Sequence, residues 1–236
     1  VSSLKIFNIH KRRDRLNPMT RAAFKSLIDQ IGIYQTISLL SWVVVDLIRG
    51  LPFKSLAKAD SRRERDSREQ LGPVILIYGR LCRVHDQADA LEITRKVVIA
   101  SGRAFLTQVL KRLSIDTLIS LPITERAAYL KPLLDPIPNA LYTLHFDEEN
   151  RVHFTVKSCR FVELCATLGV PELTPLFCAV DDHFFRHDLP QVNLERATTL
   201  AHGGVNCPFV LSLKDSSSNM THVNRTPEVS AKNNAD

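Results

Sequence analysis

Four of the five cysteines in this 236-residue chain, Cys159, Cys165, Cys178 and Cys207, fall in one stretch dense in apolar and turn residues, and the pair Asp181-Asp182 lies close behind Cys178. A thiol can serve as a nucleophile, a metal ligand or a small core hydrophobe, and spacing discriminates among these roles. Zinc sites pair their ligands two to four residues apart. Here the gaps are five, twelve and twenty-eight residues, so no metal is expected. On a helix Cys159 and Cys165 point about 120° apart and cannot form one site by themselves. Cys178 and Asp182, four residues apart, share a helix face. That pair suits nucleophilic chemistry only where a histidine, an arginine or a helix terminus offsets the carboxylate, because a neighbouring negative charge raises a thiol's pKa. His183 or a strand histidine is the candidate proton acceptor. The other reading of the same residues is a set of buried, unreactive thiols.

Cys207 alternates with Phe209, Leu211 and Leu213, which turns its side chain to the interior of a strand. Arg196 alternates with Leu194, Thr198 and Leu200, and an inward arginine needs an anionic partner, either Asp182 or a substrate carboxylate. His145 and His153 fall on polar strand faces, and His202, before Gly203-Gly204, belongs to a turn. The chain has no G-x-S-x-G elbow, P-loop, dinucleotide glycine fingerprint or H-E-x-x-H pair, which removes several large enzyme classes.

The elements that must position these residues change period along the chain. A helix is expected from Asn17-Pro18 to Gly32, a second over 34–49, a third opened by Gly72-Pro73 over 74–82, a long amphipathic one over 86–113, and a short one from Pro122. The apolar stretch 31–48 holds polar residues and reads as a buried helix rather than a spanning one. Strand periodicity then sets in at 141–146 and 151–156, with a polar turn between. Two short helices, 159–168 and 172–185, meet at Gly169-Val170-Pro171, and a second hairpin joins 191–200 to 207–213. The expected fold is α+β, a helical bundle packed on a small antiparallel sheet made of two hairpins flanking a helix pair. Residues 1–213 read as one domain, mainly helical over 1–138, and 214–236 as a flexible polar tail.

Net charge of +6 suggests an anionic partner, but its distribution argues otherwise: residues 1–70 hold 14 Lys/Arg against 7 Asp/Glu, and the remainder is balanced. The runs at 11–15 and 62–68 are interrupted by acids, and the second reads as a solvated helix face or loop. Neither nucleic acid nor membrane is expected as a partner, and five dispersed cysteines suit reduced thiols and a cytoplasmic setting.

At these residues the sequence resembles the L-2-amino-thiazoline-4-carboxylic acid hydrolase family. The matching features are Cys159 with its following aromatic, the 168–173 connection Leu-Gly-Val-Pro-Glu-Leu, Cys178 with Asp182, Glu195-Arg196, and the ending Gly203-Gly204 to Cys207-x-Phe209. The resemblance implies a small α+β enzyme with a pocket beside the sheet, no cofactor, and hydrolytic opening of a small carboxylated, sulfur-containing heterocycle. It places Cys178, Asp182 and Cys207 at the reacting end, with Arg196, Phe209 and Cys159 binding the substrate, and leaves a homodimer open. One position departs from the family pattern: an expected Cys-Asp-Phe reads Cys207-Pro208-Phe209. A cyclase or pericyclase of secondary metabolism, which needs only a shaped apolar cavity and a few donors, is the alternative on the same scaffold. A non-enzymatic ligand-binding module is the third reading.

Overall fold

The computed structural model describes residues 17–147 and 151–214. The expected tail, apart from Lys214, and the basic run at 11–15 lie outside the described residues. Helix α1 (Pro18–Ile31) starts on a proline that has no N–H to leave unpaired, and Asn17 Oδ1 accepts the Met19 N–H at 3.2 Å. Gly32, at φ 79°, lets α2 (Ile33–Ile48) begin one residue later, and its carbonyl accepts both the N–H and the hydroxyl of Thr36.

The third helix departs from expectation. Instead of opening at Gly72-Pro73, α3 (Arg62–Leu81) begins ten residues earlier, capped by Ser61, and carries Pro73 inside it. The carbonyl that loses its partner there belongs to Glu69, four residues back and on an exposed residue. The 62–68 run is helical but only half solvated: Arg62 and Arg65 are exposed, and Arg63, Glu64 and Arg68 turn inward. Glu64 is buried and binds Arg68 at 2.6 Å and Arg160, while Arg63 donates to the carbonyls of Pro138 and Asn139 at 2.8 and 2.9 Å. These charges hold the helical layer to the start of the sheet.

Nor is α2 buried all round. Thr36, Leu39, Val43 and Asp46 face inward, whereas Tyr34, Ile37, Val44 and Ile48 are exposed, because α2 packs chiefly against α1 and α3, on one side. Asp46 is neutralised by Arg80 at 2.5 Å, whose guanidinium lies 5.0 Å over the Trp42 ring.

Helix α4 (Gln87–Val109), capped by Asp86, runs between α1 and the later helix pair, and its last turn tightens into a 3₁₀ turn at Leu110–Arg112. Two short helices follow, α5 (Ile115–Ser120) and α6 (Ile123–Leu134). Then come β1 (Ala140–Phe146), β2 (Val152–Cys159), α7 (Arg160–Thr167), α8 (Thr174–His187), β3 (Val192–Arg196) and β4 (Cys207–Leu213). The strands form one antiparallel sheet in the order β1-β2-β4-β3, so the two hairpins join through β2 and β4. The architecture is α+β. Among the described residues no helix is long and apolar enough to cross a membrane.

Among the described residues the buried apolar side chains gather in three clusters, the first and third meeting at Cys159. The largest lies among α1–α4, α7 and α8; a second joins Leu118 and Leu130 to Val152; a third sits under Val156, Cys207 and Phe209.

Candidate active site

One face of α8 carries Thr174, Phe177, Cys178, Asp181 and Phe185, a spacing that draws a single stripe along a helix. The stripe borders a cavity of about 290 Å³ between the helices and the inner face of the sheet. Strand alternation supplies the opposite wall: Cys207, Phe209 and Leu211 of β4, and Val192 and Arg196 of β3, all point into it. Cys159, at the end of β2, borders it as well, with its sulfur 3.5 Å from Asn139 Nδ2.

Arg196 is the charged centre of this wall. Its side chain is 8% exposed and its guanidinium lies 5.0 Å over Phe209. Nη1 donates to Asp181 Oδ2 at 3.1 Å, and Nη2 donates to both Asp182 oxygens at 2.9 Å and to the Cys178 carbonyl at 3.1 Å. Of the two partners foreseen for an inward arginine, the protein's own carboxylates are present.

The two aspartates divide the work by their place on the helix. Asp182 is half exposed, lies off the stripe and does not border the cavity; it holds Arg196 from outside. Asp181, one residue earlier, is the carboxylate that faces the cavity. Burial among apolar walls pushes its pKa up to about 7, against the opposing pull of Arg196 and with a further push from Asp182. The i,i+4 relation to Cys178 favours Asp182 in the sequence, but the stripe from Thr174 to Phe185 is the signal that selects Asp181.

The thiols are held neutral. Burial, then the charge of Asp181, pushes Cys178 up to about 12. Cys207 is raised by burial, partly offset by the Leu200 N–H that its sulfur accepts at 3.2 Å. Cys165 is fully buried away from the cavity and raised to about 11. The histidine on this side is His202 of the turn, whose Nδ1 lies 2.7 Å from the Thr199 hydroxyl, and the Thr199 side chain opposes the rise of the Cys178 thiol. Neither Thr199 nor His202 is marked by sequence spacing, because the Leu200–His202 turn brings them there. His183 points instead toward His187, and His153 binds Asp147 at 2.9 Å on the far face of the sheet, stacked on His145. Among the described residues no group of three or more His, Cys, Asp or Glu could hold a metal ion.

Pro208 lies between two inward residues, opposite Thr155, and therefore points away from the cavity. A side chain at 208 would not reach the site, so the missing acid at that position removes nothing from the cavity wall. The proline is tolerated one residue beyond the last β3 pair, Arg196 with Phe209, where that ladder has ended.

A protein-family model described as L-2-amino-thiazoline-4-carboxylic acid hydrolase matches residues 68–211, more than half of the chain and all of the elements that line the Arg196 end of the cavity. No match was found among curated proteins. Among solved structures, a crystal structure of an H-NOX protein from S. oneidensis in the Fe(II)NO ligation state is 14% identical, covers 85% of this chain and 100% of its own, and has a TM-score of 0.36. A mutant of an H-NOX protein from S. oneidensis in the Fe(II) ligation state is 15% identical, with coverage of 85% and 97% and a TM-score of 0.35. Likenesses this slight say nothing further about this chain.

Proposed function

The chain belongs to the L-2-amino-thiazoline-4-carboxylic acid hydrolase family, and from that premise we propose that its cavity carries out ring-opening hydrolysis of a small carboxylated thiazoline or a related heterocycle. Family membership supports a hydrolase-like, small-molecule function. The observation that carries the finer reading is the convergence of Asp181, Arg196, Cys178 and Cys207 at one end of an otherwise apolar cavity.

In this reading Asp181 moves the proton. With a pKa of about 7 it is present in both forms near neutral pH, the condition under which one group serves as base and then as acid. Its ionised form takes a proton from water as the water oxygen bonds to the amidine-like ring carbon. The carbon–sulfur or carbon–nitrogen ring bond then breaks, and the proton passes to the departing atom, so one water is added and nothing is oxidised. Arg196, fixed and charge-balanced by Asp182, keeps its guanidinium on the cavity wall as a hydrogen-bond donor for the substrate carboxylate. Phe209, Cys159, Cys207 and Cys178 wall the ring, with the raised thiols of Cys178 and Cys207 as neutral contacts.

The test supplies 2-amino-thiazoline-4-carboxylate in ¹⁸O-labelled water and follows the product by mass spectrometry. One labelled oxygen per product is expected, with turnover falling about 100-fold or more in Asp181→Asn. Undiminished turnover in that variant, or no turnover by the wild type, overturns the reading. A second reading, cyclisation of an apolar substrate, is favoured by the aliphatic and aromatic remainder of the cavity. It requires turnover without incorporation of water.

A further inference from the structure

A second, open depression of about 840 Å³ lies on the surface between the 110–119 segment and the α8–β3 turn, and it shares six lining residues with the cavity: Leu110, Leu113, Ile115, Ile119, Leu189 and Leu213. All six are apolar. The two hollows therefore adjoin along one apolar wall.

Position along β3 gives the depth. Leu213 pairs with Val192, and Phe209 pairs with Arg196, so the shared wall and the charged end are four residues apart along the strand. That is about 13 Å, or about eleven bonds of extended chain at the reach per bond of a polypeptide. The volume agrees: a dry cavity of about 150 Å³ takes benzene, and this one is about twice as large.

We propose that this depression is the mouth of the cavity and that the site takes an elongated amphiphile, its anionic head at Arg196 and Asp181 and its apolar body reaching Leu189 and Ile119. The inference rests on the same site as the proposed hydrolysis and narrows its substrate class: the heterocycle carries an apolar extension, the whole molecule being about as long as a ten-carbon chain. Lys111 and Lys214 line the depression together with Asp116 and Asp188, so the selection for an anion falls to Arg196 at the far end rather than to the rim.

Isothermal titration with straight-chain alkanoates tests this on the full-length protein at about pH 6, without any need for turnover. Affinity should rise about fourfold per methylene from hexanoate, then level off near dodecanoate, when the chain emerges into the depression. Leu189→Trp should weaken decanoate by about tenfold or more while leaving hexanoate unchanged, and Ile119→Trp, from the opposite lip, should do the same if the first variant misfolds. Affinity independent of chain length, or a series that climbs equally in both tryptophan variants, overturns the proposal. A flat series with intact hydrolysis discards the elongated substrate alone, and a rising series without hydrolysis discards the reaction alone.

Discussion

Replacing Asp181 by asparagine isolates the group on which the proposed chemistry depends, and its effect on stability follows from the site's geometry before any substrate is known. A carboxyl whose folded pKa is about 7, against an ordinary 3.8, binds more protons folded than unfolded between those values. Stability is therefore full below the ordinary value, falls as pH rises through that window, and levels off above about 7. From about pH 5.5 to about pH 8 the wild type should lose roughly 2 kcal/mol from this group alone, about 1.5 pH units at 1.36 kcal/mol each. The amide of the Asp181→Asn variant does not titrate, so that protein should escape the loss and gain on the wild type as pH rises. Urea denaturation of both proteins at the two pH values gives a double difference in which every other titrating group cancels. A double difference below about 0.5 kcal/mol refutes the reasoning. A double difference of opposite sign means that Arg196 outweighs burial, which makes Asp181 an ordinary ion-pair partner and removes its role in moving protons.

Two further expectations concern the neighbours of Asp181. With Cys178 raised to about 12 and Cys82 exposed, iodoacetamide under native conditions should label Cys82 more than about 100-fold faster, read by peptide mass spectrometry, and Cys178→Ser should keep turnover within about tenfold. Equal labelling rates, or loss of turnover in that variant, would restore the thiol as nucleophile through Thr199 and His202. At the crossing of α4 and α8, a Cβ on Gly102 would lie 2.6 and 2.7 Å from the two methyls of Val180. Gly102→Ala should cost about 1–3 kcal/mol in chemical denaturation, and adding Val180→Ala should recover most of it. Additive losses would show that the two helices are not held by that contact.

Much of this fold is written locally. Asn17-Pro18 and Gly32 bracket α1, Gly169 and Pro171 mark the α7–α8 junction, and period-two alternation turns Cys207, Phe209 and Arg196 inward without reference to anything distant. What escapes local reading depends on partners far along the chain. The 62–68 charges look solvated until Asn139 and Arg160, more than 70 residues away, come against them. Gly72-Pro73 reads as a helix start because a proline at first position and a proline tolerated inside a helix look alike in sequence. The choice between Asp181 and Asp182 turns on how α8 is rolled about its axis against the sheet, which the packing of Phe177 and Val180 decides. Likewise the missing acid at 208 gains or loses meaning only when the strand's faces are assigned.

The three apolar clusters have a consequence for how this protein responds to its own ligand. Val98 and Val180 of the first, Leu118 and Leu130 of the second, and Cys207 and Phe209 of the third all border the same empty space. Cys159 packs against both the first and the third, and the cavity runs along the rest of that junction. A molecule in that cavity touches all three, and its binding free energy adds to the cohesion between them. Occupancy can thus be read as rigidity: the filled protein should exchange its buried amides more slowly across all three clusters at once, not only beside the charged end.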